Sequence, residues 1–323
     1  MSTLYPLRFG VVGLGMGRSR SKTITETEGA QLVAVADLVE ERRKSAAEQF
    51  GCATHADAIE MFERKDLDVA MIMTPSGLHA KLGIEAAKRG KHVITTKPMD
   101  VSLENCDALI KACEENGVKL LVDFGERYGQ QNRKIRAALE MGALGTVILC
   151  ELRMKWWRAD SYYEGWHGTW QMDGGGSVMN QGVHYIDLMQ WFMGPVEKVI
   201  GAHYGVYAHK NCETEDLTAA VLQFKNGAIG TVMTTTTFPG DSVSMVQIHG
   251  DKGVVGIGPS MWEFKEDEPQ IELPPYPRSV IADAIRVIRD GAAPAVDGYE
   301  GKKSVALNLA IYECARTGRP VSL

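Results

Sequence analysis

No apolar run in this chain is long enough to cross a bilayer, and no basic stretch is long enough to offset a formal net charge of −6. These absences argue against a membrane partner and against a nucleic-acid-binding surface. Cysteine is sparse and unpatterned. The six, at 52, 106, 113, 150, 212 and 314, form no Cys-x-x-Cys pair, so they read as free thiols of a reducing compartment. A charged-then-apolar leader is also missing ahead of the first apolar strand, and the expectation is a soluble, cytoplasmic protein. His203, His209 and Cys212 lack metal-ligand spacing and are read as structural, so no metal is expected.

What is present is an ordinary globular composition: 45% hydrophobic and 24% charged residues over 323 positions, enough for two cores. The chain is organised around residues 7–37. An apolar run from Phe9 to Val12 leads into glycines at 13, 15 and 17, and a second run, Leu32 to Ala36, ends on Asp37. Strand, glycine turn, helix, strand, acid is the order that holds a dinucleotide. Backbone amides approach the pyrophosphate at a helix N-terminus, and the acid takes the ribose hydroxyls. The third glycine comes one residue early, since Arg18 occupies the standard place and Gly17 precedes it. A glycine-rich turn of any doubly wound sheet is the alternative; the strand context and the acid favour dinucleotide binding.

Beyond Asp37, strands and helices alternate, which implies a parallel sheet. Helices are expected over 39–50, stopped by Gly51, and over 57–64. A buried strand over 68–73 runs into Thr74-Pro75-Ser76-Gly77-Leu78-His79, and the strand 92–96 stops at Lys97-Pro98. Ligands of such sheets bind beyond the carboxyl ends of the strands, where Thr74, Pro75, His79, Thr96 and Lys97 stand. Lys97 also reads as a solvated surface charge when taken alone. Ser102 is the expected N-cap of a helix ending at Gly117, before a strand over 118–124.

The pattern then changes. A helix over 131–141 is followed by strands over 147–155, 196–207, 217–224, 228–237 and 243–249, with a hairpin signal at Asn226-Gly227. The expected organisation is a Rossmann α/β domain over 1–123 and an α+β domain over 124–323, mostly an antiparallel sheet with helices on one face. The uncovered face, including 231–237, is either an oligomer contact or a solvated threonine surface.

Four of the six tryptophans, at 156, 157, 166 and 170, cluster in one loop with Tyr162 and Tyr163. Aromatic faces stack on sugar C–H faces; simple packing or an oligomer contact is the bland alternative. The chain reads as a helix from Ser177, preceded by glycines 174–176 that allow close approach, and Asn180, His184 and Asp187 then share a face. Arg127, Trp157, Tyr163, Trp166, Trp170, Asn180 and Gln181 make up the expected substrate set.

The glycine turn, Thr-Pro-Ser-Gly-Leu-His at 74–79, Lys97-Pro98, Gly-Gly-Gly-Ser-Val-Met-Asn-Gln-Gly-Val-His at 174–184 and Gly-Tyr-Glu-Gly-Lys-Lys-Ser at 298–304 together resemble the Gfo/Idh/MocA family. That family is named for glucose–fructose oxidoreductase and inositol dehydrogenase. The resemblance spans essentially the whole chain. It implies an NAD(P)-dependent oxidoreductase acting on a sugar hydroxyl, with Lys97, His184 and Asn180 at the reacting group. Gly13, Leu14, Gly15, Met16, Gly17, Asp37, Thr74, Pro75, His79, Thr96 and Lys97 would hold the cofactor. Thr96 stands where the family usually has glutamate, and Asn180 where many members have aspartate. The Asn-Gln-x-x-His form resembles the branch that oxidises position 3 of pyranose rings. A family-type NAD-dependent glycosidase and a cyclitol dehydrogenase are the alternatives. Asp37 points to NAD, although Arg18, Arg20, Arg42 and Arg43 keep NADP open. A homo-oligomer, dimer or tetramer, is expected through the open sheet face. An amide cannot accept a proton, so His184 is the expected base, with Lys97 polarising the hydroxyl and the reverse assignment permitted.

Overall fold

The computed structural model describes residues 5–258, 261–265 and 267–323. In the first part of the chain, strands β1 (Leu7–Val12), β2 (Ala30–Ala36), β3 (Ala53–His55), β4 (Val69–Ile72), β5 (His92–Thr96) and β6 (Leu120–Asp123) form one sheet in the order β3-β2-β1-β4-β5-β6. Every pairing in it is parallel. The crossovers are helices α1 (Gly17–Glu26), α2 (Glu40–Phe50), α3 (Ala58–Phe62), α4 (His79–Lys88) and α5 (Leu103–Glu115). Local chemistry sets their ends. Gly51 caps α2 in the left-handed region at φ 64°, and the side chains of Asp57 and Ser102 accept from Ile59 N and Asn105 N at the starts of α3 and α5. Both faces of this sheet are covered, so its strands are continuous apolar runs.

The later chain supplies α6 (Gln130–Glu140), β7 (Val147–Lys155), α7 (Val183–Met193), β8 (Val196–Gly205), β9 (Leu217–Phe224), β10 (Ile229–Thr235), β11 (Val243–Gly250), β12 (Gly253–Ile257) and β13 (Trp262–Phe264). Helices α8 (Val280–Asp290) and α9 (Gly298–Thr317) and strand β14 (Val321–Ser322) follow. Its eight strands run β13-β12-β11-β7-β10-β9-β8-β14. Neighbours are antiparallel except β10 and β7, which pair in parallel at the centre, so the sheet is mixed. Asn226 Oδ1 accepts from Ala228 N and Gly227 sits at φ 88°, closing the β9–β10 hairpin as its sequence predicts.

Compact units do not follow one cut in the chain. The first comprises the chain up to Gly125 together with Pro277–Lys302; the second comprises Glu126–Tyr276 and Lys303–Leu323. The segment 277–302 packs with the first unit because its glycines let it close on β6 and α5. A Cβ at Gly298 would meet Ile110 and Leu120 at 2.7 Å, and one at Gly301 would meet Val122 at 2.5 Å. In the second unit, Ile135 of α6, Ile186, Met189 and Phe192 of α7, and Leu307 and Ile311 of α9 build the core against one sheet face, meeting Leu152, Leu222, Val232 and Val246. The opposite face leaves Val221 40% and Met233 44% exposed.

Candidate active site

In the first unit, each of the three glycines of the turn after β1 meets a different constraint. Gly13 has φ 88°, and a Cβ there would lie 2.7 Å from the Met73 carbonyl oxygen, so the turn must be tight. A Cβ at Gly17 would press on Val11 and Met73 at 2.9 and 3.2 Å, so this early glycine is the one that seats α1 on the sheet. At Gly15 no atom lies within 4 Å of that position, which leaves the amide side of the turn open for a ligand at the start of α1. Asp37 follows the end of β2 and turns toward this space. Its carboxylate accepts from Leu14 N at 2.6 Å and Val39 N at 2.8 Å. A cradle open at one glycine, closed at two and bordered by an acid fits a dinucleotide's pyrophosphate and ribose. Met16 is exposed beside it, whereas the Leu14 side chain is buried.

The four arginines near this turn divide into two pairs. Arg18 donates to Gln49 and Arg20 pairs with Asp123 at 2.6 Å. Arg43 donates to the Asp37 carbonyl at 2.7 Å, and Arg42 lies 3.7 Å from its carboxylate.

At the other strand ends, His79 is fully buried and bridges two loops. Its Nδ1 lies 2.9 Å from the Pro98 carbonyl and its Nε2 2.8 Å from the Thr74 carbonyl. Burial lowers its pKa, against the pull of both carbonyls. Its buried ring thus fixes the Thr74 and Pro98 carbonyls. Thr96 ends β5, and Lys97 follows, half-buried before a cis bond to Pro98.

The neighbouring strand carries a carboxylate beside Thr96. Thr96 is the register partner of Asp123, a buried acid whose pKa is raised by burial and pulled back by Arg20 and Lys97. The field of Asp123 therefore reaches Lys97. Sequence reasoning missed this acid because only the β5–β6 pairing brings it there.

In the second unit, the segment expected as a single helix from Ser177 is two elements. Ser177–Gln181 forms a π-helical turn, in which Gly182 N donates to Ser177 O at 2.7 Å, and α7 begins at Val183. Close packing enforces it: a Cβ at Gly176 would sit 1.7 Å from the Glu215 carbonyl oxygen. The buried Glu215 carboxylate accepts from Gly176 N, Val178 N, Ser177 Oγ and Tyr312 OH, all within 3.3 Å. Asn180 and His184 lie on the turn and first helical residues, both half-buried. Asp187 lies one turn further along α7 and is buried. It forms a buried bidentate pair with Arg127, at 2.8 and 2.7 Å, so Arg127 is bound up in this ion pair.

Asn180 has a partner that the sequence did not flag. Its Nδ2 donates at 2.6 Å to Asp173, a buried acid that also accepts from Gly168 N. Gln181 Nε2 donates to Tyr162 OH at 2.9 Å, tying the turn to the aromatic loop. In that loop Trp166 stacks on His167 and His167 on Tyr162, with centroids 3.9 and 4.0 Å apart. Trp157 and Trp170 are 50% and 41% exposed, and Tyr163 is buried with its hydroxyl 2.7 Å from Thr236. Among the described residues no cluster of His, Cys, Asp and Glu could hold a metal ion.

Comparison with known proteins covers both units. Residues 7–124 match the family model described as the oxidoreductase family, NAD-binding Rossmann fold, and residues 132–256 match the GFO/IDH/MocA C-terminal domain. The chain is 32% identical to the WlbA dehydrogenase from Bordetella pertussis, solved in complex with NADH and UDP-GlcNAcA, with a TM-score of 0.91 over 100% of this chain and 99% of that one. It is 23% identical to myo-inositol 2-dehydrogenase of Thermotoga maritima over 98% of both chains. It is 25% identical to 2,7-anhydro-N-acetylneuraminate hydratase of Mediterraneibacter gnavus, matching 77% of this chain and 66% of that protein.

Proposed function

We propose that this chain, which belongs to the GFO/IDH/MocA family of NAD-binding oxidoreductases, oxidises a ring hydroxyl, at position 3, of a sugar, glycoside or sugar nucleotide. The observation that carries the substrate class is the turn bearing Asn180, held by Asp173 on one side and joined through Gln181 and Tyr162 to a loop of exposed and stacked aromatic rings. Such a surface suits a polar ring with apolar C–H faces. The similarity to a dehydrogenase solved with a nucleotide sugar supports the same class.

The nicotinamide, when bound, supplies the acceptor for hydride. The amides around Gly15 receive the pyrophosphate, and Asp37 accepts the adenosine ribose hydroxyls. Thr74, Pro75, Thr96 and Lys97 would border the nicotinamide end, with His79 fixing the Thr74 and Pro98 carbonyls. In the reaction the carbinol C–H and O–H bonds break and a C=O bond forms. The hydroxyl proton passes to His184 as the carbon gives up its hydride. Lys97 donates to the same oxygen, and Asn180 positions it. The exposed Trp157 and Trp170 and the half-buried Trp166 offer faces on which the ring would stack.

A panel of sugars, glycosides, cyclitols and sugar nucleotides, read by reduced-cofactor absorbance, tests this reading. Turnover with a pyranose 3-hydroxyl and none with inositol is the expected result; oxidation of inositol alone overturns it. The similarity to a hydratase gives weight to a second reading, in which the cofactor is restored within each turnover. Glycoside cleavage without net reduced cofactor would establish that alternative.

A further inference from the structure

Arg158 lies just beyond β7 in a heavily constrained stretch of backbone. Its N donates to Thr236 O at 3.0 Å, and its carbonyl lies 2.7 Å from His209 Nε2. The other ring nitrogen of that buried histidine meets the buried Asp216 at 3.1 Å. The side chain is as well placed as the backbone. Its guanidinium carbon lies over the Trp156 ring at 5.1 Å and over the Tyr162 ring at 5.2 Å. Tyr162 is in turn fixed by the His167 stack and by Gln181, the neighbour of Asn180.

This half-buried guanidinium donates to the Trp157 carbonyl at 3.1 Å, hydrogen-bonds the Tyr162 side chain, and makes no ion pair among the described residues. By contrast, the half-buried Arg20 and the buried Arg127 of the same chain each hold a carboxylate. Partly desolvating an arginine without an anion is unfavourable, and two aromatic faces recover only part of that cost. The planar fork therefore stands ready for an oxyanion that is not part of the folded chain.

We infer that Arg158 is the receptor for an anionic group on the substrate, a carboxylate on the sugar ring or a phosphate attached to it, and that it selects acidic sugars over neutral ones. This rests on the reading above that the site takes a sugar. The geometry supports it from two directions: the cation is anchored by packing rather than by charge, and Tyr162 and Gln181 join it directly to the turn that carries Asn180. Burial and Asp173 hold the Tyr162 phenol well above its ordinary pKa, so it stays neutral and leaves the charge of Arg158 uncancelled.

The experiment compares glucose, glucuronate, UDP-glucose and UDP-glucuronate as substrates of the intact protein and of its Arg158→Met and Arg158→Lys variants. The readout is the ratio of kcat/KM for each anionic substrate to its neutral counterpart, so a general loss of activity in a variant cancels. The wild type should favour one anionic member by roughly tenfold to a hundredfold, the range of a charged hydrogen-bonded pair. Arg158→Met should bring that ratio close to one and Arg158→Lys should leave it in between. A ratio carried by glucuronate over glucose identifies a carboxylate; one carried by UDP-glucose over glucose identifies a phosphate. A wild-type ratio near one, or a loss in Arg158→Met that is equal for all four, overturns the inference. If none of the four is oxidised, quenching of tryptophan fluorescence gives the same ratio from dissociation constants. Arg158-dependent binding without turnover would then count against the proposed reaction while upholding the anion receptor.

Discussion

A lysine ammonium in water titrates about four units above an imidazolium, so Lys97 and His184 are not equivalent as bases near neutral pH. The buried Asp123, opposite Thr96 on the adjacent strand and paired with Arg20, interacts electrostatically with Lys97, and in its ionised form would favour the protonated lysine. With His184 as the base, His184→Asn should remove the acid limb of the pH–rate profile and cost on the order of a hundredfold or more in turnover. Lys97→Met should be severely impaired and retain that limb. Asp123→Asn separates the two assignments without removing either group. Loss of the carboxylate lowers the pKa of Lys97, so the limb moves to lower pH if lysine is the base and stays in place if histidine is. Lys97, Asn180 and His184 are legible in the sequence as residue types at strand and helix ends. Asp123 and Asp173 are not, because their relevance depends on a strand pairing and a loop closure that no local pattern encodes.

Among the elements, the glycine turn and the π-helical turn use the same residue type for opposite ends. Gly15 faces open space and Gly176 faces backbone, so alanine should affect them differently. Gly15→Ala should change the unfolding free energy by less than about 1 kcal/mol and weaken NAD binding tenfold or more, because the added methyl stands where the pyrophosphate approaches. Gly176→Ala should cost at least about 3 kcal/mol, since its methyl would overlap the Glu215 carbonyl, which is fixed in a strand connection. Calorimetric melting and a cofactor titration of both variants check the pair; equal destabilisation would contradict it. The strand–turn–helix order was readable because hydrophobic period and glycine spacing are local signals. The π turn was not, since 3.6-residue periodicity describes α-helix and the wider turn is imposed by contacts with Glu215 and Thr234.

For the whole molecule, Asp37 should make NAD bind more tightly than NADP, because a 2′-phosphate would meet its charge. Arg42 and Arg43 lie close enough to be the arginines that would reverse this, whereas Arg18 and Arg20 have other partners. Dissociation constants for both cofactors at one salt concentration decide it, and tighter NADP binding overturns the assignment. The sheet face of the second unit carrying Val221 and Met233 is proposed to join two copies of the chain. Light scattering at micromolar concentration should show a dimer or tetramer, and a monomer would rule the face out. That the segment 277–302 packs with the first unit was beyond sequence reading, because chain order does not record which unit a late segment rejoins. The central claim is that a ring carbon gives hydride to the cofactor. Its most direct test is turnover of a position-3 deuterated substrate from the panel, with mass analysis of the nicotinamide. The account predicts deuterium in the reduced cofactor with a primary isotope effect in single turnover. Substrate conversion that leaves no deuterium in the cofactor, or that releases it to solvent, would contradict it.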